Sequence, residues 1–529
     1  MLKSLFSSRW LGGRGAYEAA SRTHPALSGY YAPRVSPQAA LEADREPLSA
    51  RVADLSRNNP WASAAVRRKV DGIIGAGLNF SSRPDAISLG ISQDAAKQLA
   101  RQIESHWRAS IEDLEHRCDA AGRLSGGQIM ALALRHSLWH GDALARLRFL
   151  PRGGVSNIAV ELIHSQQLAQ PTGQLETTRF RDGIELDRFG GPVAYHFLGA
   201  HPDDGLVLPR EKSVRVPRYD RDGSRRVLHY FYAGDIGEIR GRSPVAPIVK
   251  KLRQLGKFDE AELQAATLNA TLAAFIESSA DHSVLAELLG ENDDGRAAAQ
   301  YMDTLAVERE GHHKDHPIQM DGVQVMQLAT GEKVNFTNPA RPSSSYDAFE
   351  MAALRNIASA FDLSVEMLTG DYSKLSYSGW RGAMLNVWRG FTCERAGFVA
   401  QFCRPWLAAV IEDGIASGAI APPKGAASFW QRPTAYVAGQ WLGPGRGSAD
   451  PAKDARALAQ NLALGRTTLT QALAEDGIDY DDQSEQLARE IADHEARGLV
   501  HPRLQPLAGA ASGGNPAQSE PDEETGRER

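Results

Sequence analysis

The sequence has few cysteines, and none stands in a spacing typical of a zinc site or a disulfide framework. Cys118, Cys393 and Cys403 are the only three in 529 residues, and no CxxC pair occurs. An odd number without paired spacing argues against a structural zinc site and against a disulfide-stabilised secreted domain. We therefore expect reduced thiols.

Long apolar runs and an excess of positive charge are also missing. The most noticeable apolar stretches, residues 72–78 and 407–411, are far shorter than the roughly 20 residues of a membrane-spanning helix. No membrane contact is therefore predicted. Lys and Arg number 59 against 65 Asp and Glu, which gives a formal net charge of -6. A protein that grips nucleic acid over its whole surface is strongly basic, so any DNA contact must be local or weak.

The motifs of common enzyme classes do not occur. Without a GxxxxGK[ST] loop, the chain is not a P-loop nucleotide hydrolase such as a packaging motor. Residues 122–126 (GRLSG) lack the GxSxG spacing of a serine hydrolase. The histidines of residues 312–316 (HHKDH) share one short loop without the spacing of HExxH, and we interpret them as solvated. The sequence thus predicts no enzyme, no metal site and no cofactor.

The residues that are present predict a large α+β fold. Hydrophobic residues make up 42% of the chain, enough for a sizeable core. Short alternating runs predict strands at 143–150, 160–163, 184–189, 193–198 and 225–233, with a hairpin formed by 323–328 and 332–336. Apolar periodicity predicts helices at 61–70, 94–108, 125–140, 245–276, 343–361, 380–415 (interrupted only at Pro405), 451–464, 468–475 and 483–498.

A basic cluster lies in the strand-rich block, interleaved with acidic residues. We interpret it as a solvated strand face, with a DNA contact as the alternative. Its members are Arg210, Lys212, Arg215, Arg218, Arg221, Arg225 and Arg226.

Several separated segments together resemble the portal proteins of lambda-type tailed phages, in the order that family uses. In the C-terminal half they are Tyr377 and Ser378 ahead of a Trp-rich helix, then residues 441–447 (WLGPGRG) and 450–453 (DPAK). In the N-terminal half they are residues 57–62 (RNNPWA), 75–78 (GAGL), 182–195 (DGIELDRFGGPVAY), 237–244 (GEIRGRSP) and 260–263 (EAEL).

The resemblance implies a portal fold with an α/β wing, paired stem helices, a small α/β clip and a helical crown. It also implies a ring of about twelve subunits. The implied segments are the first part of the wing (50–243), a stem helix (244–277), the clip (278–339), a second stem helix (340–368), a tunnel loop (369–379), the second part of the wing with a long helix (380–449) and the crown (450–501). Composition, outside the resemblance, predicts a flexible N-terminal arm (1–49) that mixes Gly, Ser, Ala and Pro, and a disordered acidic tail (502–529) that is rich in Pro, Gly and Ser.

The tunnel loop, residues 369–379 (TGDYSKLSYSG), is the predicted site of DNA passage. Gly370 and Gly379 allow sharp exits from the flanking helices, while hydroxyl groups and one lysine touch phosphates lightly. A surface loop that faces solvent is the alternative. The predicted channel residues are Tyr372, Ser373, Lys374, Ser376, Tyr377 and Ser378.

The resemblance further implies the role and the partners of the chain. It implies a phage or prophage portal protein at one capsid vertex of the virion, present in the host cytoplasm during assembly. The ring would be the channel for DNA packaging and ejection. Implied partners are further copies of the chain, the terminase large subunit, the major capsid protein, head-completion or connector proteins and double-stranded DNA. The alternative is another structural protein of phage head morphogenesis.

Overall fold

The computed structural model describes residues 17–21, 24–171, 175–204, 213–272, 346–448 and 450–504, with short pieces between 304 and 325. Most of the predicted clip, the acidic tail beyond residue 504 and the histidines of residues 312–316 lie outside the described residues.

Helices and strands both contribute to the fold, which confirms the mixed class predicted from the sequence. The helices are α1 (Pro37–Asn58), α2 (Pro60–Ile73), α3 (Ala86–Leu89), α4 (Gln93–Ile111), α5 (Gly126–His140), α6 (Val249–Leu272), α7 (Tyr346–Ala360), α8 (Val365–Thr369), α9 (Tyr377–Phe398), α10 (Arg404–Ala416), α11 (Pro433–Tyr436), α12 (Pro451–Ala463), α13 (Leu469–Glu475) and α14 (Tyr480–Ala496). The strands are β1 (Asn79–Ser82), β2 (Asp142–Phe149), β3 (Ile158–Ile163), β4 (Phe180–Arg181), β5 (Ile184–Leu186), β6 (Pro192–Phe197), β7 (Val214–Pro217), β8 (Val227–Phe231), β9 (Ile318–Met320), β10 (Val323–Val325) and β11 (Gly439–Leu442).

The chain forms two compact units that interleave along the sequence. The first consists of Met1–Lys69, Leu132–Leu147 and Glu161–Leu375, and the second of Val70–Ala131, Arg148–Val160 and Ser376–Arg529. The predicted first wing segment, residues 50–243, therefore contributes to both units.

The first unit is built around two sheets. One has the strand order β3-β2-β8 and the other β4-β5-β6-β7. Neighbouring strands in the second sheet run antiparallel, so alternate side chains reach a common core. The core residues are Leu144, Ile163, Leu168, Ile184, Tyr195, Phe197 and Val227.

The motif at residues 237–244 supplies a buried ion pair to this unit. Arg240 is 2% exposed, and its Nε donates to Asp142 Oδ2 at 2.7 Å. Asp142 Oδ1 accepts the Gly241 N–H at 2.8 Å. Gly141 and Gly241 approach so closely that a Cβ on either would strike the other's backbone, and Gly141 has a φ of 90°. Gly241 thus allows the backbone of this loop to pass directly against the backbone just before β2.

The described members of the basic cluster mostly have local partners. Arg215 pairs with Glu185 at 2.7 Å, and Arg226 with Asp220 at 2.6 Å. Arg225 is partly buried, and its Nε donates to the Val227 carbonyl at 2.9 Å. These local contacts favour the interpretation of the basic cluster as a solvated strand face rather than as a DNA-binding surface.

Three tryptophans hold the core of the second unit. Trp107 of α4 makes edge contacts with Trp406 of α10 at 5.1 Å and with Trp441 of β11 at 5.8 Å between ring centroids. β11 pairs antiparallel with β1, where Trp441 lies opposite Phe80. The first two residues of the 441–447 motif, Trp441 and Leu442, therefore lie in a strand of the core.

The long helix predicted at 380–415 is present with a different interruption. The chain continues from α9 to α10 through a turn of π-helix, Val399–Cys403. Pro405 lies in the first turn of α10, where its missing N–H is tolerated. The wider turn before it keeps the chain helical, so the proline does not break the helix.

One other sequence prediction needs correction. The predicted flexible arm extends to residue 49, but α1 begins at Pro37, capped by the Ser36 hydroxyl, and buries Ser49 and Val52. Val323–Val325 pairs with Ile318–Met320, while its predicted hairpin partner, residues 332–336, lies outside the described residues. No helix among the described residues combines the length and the apolar character needed to cross a bilayer.

Candidate DNA-channel loop

The two predicted stem helices contact each other within the first unit. Phe258 of α6 stacks on Tyr346 of α7 at 5.6 Å and contacts Phe349 at 4.8 Å between ring centroids. The Tyr346 hydroxyl donates to Asp259 Oδ1 at 2.9 Å. Aromatic packing therefore joins the start of α7 to α6, and α7 leads toward the predicted tunnel loop.

Short-range capping determines where the chain enters the loop. Ser364 caps α8 by accepting the Met367 N–H at 3.1 Å. Gly370 ends α8 with a φ of 78°, a left-handed conformation that glycine adopts without a steric penalty. The sharp exit expected at Gly370 is therefore present.

Residues 371–375 form an exposed, hydrogen-bonded turn. The Ser373 N–H donates to Asp371 Oδ1 at 2.9 Å, and the Leu375 N–H donates to the Tyr372 carbonyl at 3.2 Å. The hydrogen bonds from Ser373 lower the pKa of Asp371. Tyr372 is 41% exposed, and the Ser373 side chain is also accessible. This turn presents small polar groups to its surroundings.

Lys374 pairs with an acidic residue of α7, a contact that the sequence alone did not predict. Its Nζ lies 3.8 Å from Asp347 Oδ2 in α7, and the side chains are 77% and 80% exposed. An exposed pair at this distance contributes little to stability and remains open to solvent. Asp347 therefore reduces the positive potential around Lys374.

The loop ends earlier than the sequence predicted. Ser376 caps α9 by accepting the Gly379 N–H at 3.2 Å, and Tyr377 is already the first helical residue. Tyr377, Ser378 and Gly379 therefore belong to the first turn of α9, because the serine cap starts the helix before the glycine. Of the predicted channel residues, only Tyr372, Ser373 and Lys374 lie together in the exposed turn.

Comparison with known proteins identifies the family. The family model described as phage portal protein, lambda family, matches residues 23–395, and the chain belongs to this family. The portal protein of Escherichia phage N15 is 26% identical over 481 residues, covering 90% of this chain and 89% of that protein. Portal protein B of Escherichia phage lambda is 24% identical, with the same coverage of both proteins.

Solved structures of phage-like particles also align with the chain. One is a chain from the virion of the native gene transfer agent (GTA) particle, at a TM-score of 0.39 and 16% identity, covering 86% of this chain and 97% of that one. Another comes from the neck of the native GTA particle computed with C12 symmetry, at a TM-score of 0.35 and 17% identity, with the same coverage.

Proposed function

We propose that copies of this portal protein assemble into a ring of about twelve subunits at one capsid vertex. The ring is the channel through which DNA is packaged and ejected, and it is a docking site for the terminase large subunit and head-completion proteins. The observation that carries this proposal is the family match over residues 23–395. It favours a portal over other head-morphogenesis proteins and over a cytosolic hydrolase.

The arrangement of the helices supports the assignment of a stem and a crown. We assign α6 and α7 to the paired stem helices because their aromatic contacts join them side by side. The segment between them, 278–339, is the clip. The helices α12, α13 and α14 form the crown. No residue of α12 or α14 is buried, so their apolar side chains are available to neighbouring subunits.

We assign the turn at residues 371–375 to the wall of the channel. Translocating DNA must be guided without being retained, because many tight phosphate contacts bind DNA strongly and in a salt-dependent way. Lys374 and Asp347 form an exposed pair. Repeated around a ring, such pairs give a weak field that salt screens within about 10 Å.

A charge reversal tests this assignment. We expect Lys374→Glu to leave rings with a central hole normal in electron micrographs and to lower the amount of DNA packaged or retained. Lys453→Glu is the matched control, since Lys453 is a similarly exposed cation whose pair with Asp450 at 3.1 Å lies at the start of α12. Full packaging and retention by Lys374→Glu particles would show that the turn lies outside the channel.

The ring itself is tested separately by native mass spectrometry of the purified chain. We expect a closed assembly of about twelve copies. A stable monomer at micromolar concentration with no larger species would contradict the proposed function, whatever the result for Lys374.

A further inference from the structure

Three histidines of the first unit meet in a cluster to which the portal function assigns no role. His136 and His140 lie four residues apart on α5, a spacing that places both on one face of the helix. His164 follows β3 and caps the short turn Ser165–Gln167. The ring centroids are 4.5 Å apart for His136 and His140, 4.6 Å for His136 and His164, and 4.5 Å for His140 and His164.

The nitrogens of these rings are close enough to share an ion. One ligand atom from each histidine lies within 4.8 Å of the other two. Zinc binds imidazole nitrogen at about 2.0–2.1 Å, which separates ligand nitrogens in a tetrahedral site by about 3.3 Å. Small side-chain movements therefore suffice to close the rings around a metal. We propose that His136, His140 and His164 form a three-histidine site for a transition-metal ion such as Zn²⁺, with the fourth position open to water.

His140 is oriented for this role by a group on another helix. Its Nδ1 lies 3.0 Å from the Ser49 hydroxyl of α1. In the tautomer whose Nδ1–H is donated to Ser49, Nε2 keeps the lone pair that binds a metal. Hydrogen bonds of this kind to the remote nitrogen fix the orientation of metal-binding histidines.

The other two rings make binding reversible. The Ser165 N–H donates to His136 Nε2 at 3.0 Å, and the Gln166 N–H donates to His164 Nδ1 at 3.3 Å. A metal at these nitrogens must replace the hydrogen bonds. A metal at the opposite nitrogens requires the other tautomer, in which the ring proton moves to the nitrogen that now accepts the N–H, so the same hydrogen bonds are lost. Both routes have a cost, so we expect an exchangeable ion rather than a permanently bound one.

A fourth histidine borders the cluster but is held outside the ligand set. The His201 ring lies 4.6 Å from that of His164. Its Nε2 is 2.7 Å from Gln166 Oε1, and its Nδ1 accepts the Asp203 N–H at 3.2 Å. Both of its nitrogens are therefore used locally.

A metal at this site would connect elements that are distant in the sequence. A bound ion would join α5 to the turn after β3 and, through Ser49, would be supported by α1.

Metal binding by the intact protein tests the proposal. After chelation and dialysis, the full-length chain should bind one Zn²⁺ per subunit in isothermal titration calorimetry at pH 7. It should also give the intense visible absorption of tetrahedral Co²⁺. Absence of stoichiometric zinc together with only weak, octahedral cobalt bands would overturn the proposal, and this measurement requires no variant.

Two sets of variants identify the ligands. Replacement of His312, His313 and His316 by Asn removes the other histidine-rich segment and should leave the zinc in place. His140→Ala together with His164→Ala should abolish it. The proposal fails if the first variant loses the ion or if the second keeps it. Ser49→Ala should weaken zinc binding about 10- to 100-fold, and unchanged affinity would contradict the role given to that hydroxyl. His201→Gln should retain the ion.

Discussion

The buried pair between Asp142 and Arg240 gives the sharpest prediction for the stability of the first unit. Asp142 is fully buried, and Arg240 is 2% exposed. Besides Asp142, Arg240 donates through Nη2 to the Ser165 carbonyl at 2.9 Å. The second Asp142 oxygen lies 3.1 Å from His229 Nε2. Burial acts to raise the pKa of Asp142, but the Arg240 charge and the His229 hydrogen bond outweigh it and hold that pKa well below its usual range.

Removal of either partner should therefore leave a charge without compensation in the interior. We expect Asp142→Ala and Arg240→Met each to lower the free energy of unfolding by about 3–5 kcal/mol. Part of each loss is the cost of leaving the remaining charged side chain buried without its partner. The double variant should therefore lose clearly less than the sum of the two single losses.

Urea unfolding followed by tryptophan fluorescence, with all four proteins in one buffer, measures this cycle. An exposed pair of the same unit provides the control. Arg226 and Asp220 are 41% and 34% exposed, so Arg226→Met should cost no more than about 1 kcal/mol. Single losses below about 1 kcal/mol for the buried pair, or strict additivity in the double variant, would refute this reasoning.

Two further predictions concern one side chain and one backbone contact. Burial raises the pKa of Glu104 to about 7, so the folded chain holds a proton there that the unfolded chain releases at lower pH, and stability falls as pH rises from about 4.5 to 7. Glu104→Gln should accordingly raise the melting temperature at pH 8 and change it little at pH 4; an equal shift at both would contradict the assignment. Gly141→Ala should destabilise the chain because its Cβ would strike the Gly241 backbone, whereas Gly256→Ala in α6, where nothing lies within 4 Å of the added carbon, should gain up to about 1 kcal/mol. Equal melting temperatures for the two alanine variants would contradict the close approach.

Local patterns in the sequence predicted most of the secondary structure. The periodicity at 125–140 marks α5 almost to the residue, and the alternation at 193–198 marks β6. The early start of α1 also had a sequence signature, since Ser36 followed by Pro37 is a typical helix beginning. The mixture of Gly, Ser, Ala and Pro in residues 1–45 predicts a flexible arm instead, and from Pro37 onward this prediction is wrong.

Contacts between distant residues could not be predicted in the same way. Nothing in the sequence near His164 indicates that it meets a histidine pair on α5, although the four-residue spacing of His136 and His140 is visible. The burial of Arg240 is equally non-local, because its partner Asp142, the first residue of β2, is about 100 residues away in the sequence. The tunnel-loop boundary is an intermediate case, since Ser376 could have been recognised as a helix cap.

The groups that cap the helices on either side of residues 371–375 are different from the side chains that the turn itself exposes. Ser364 and Gly370 fix α8 before the turn, and Ser376 starts α9 after it, all through contacts within their own few residues. The side chains of the turn take no part in those caps. Their charge and size can therefore change without altering the helices that support the turn. With the turn assigned to the channel wall as proposed, we expect substitutions at Tyr372 or Lys374 to alter contact with DNA, and substitutions at the capping residues to alter the positions of the helices themselves.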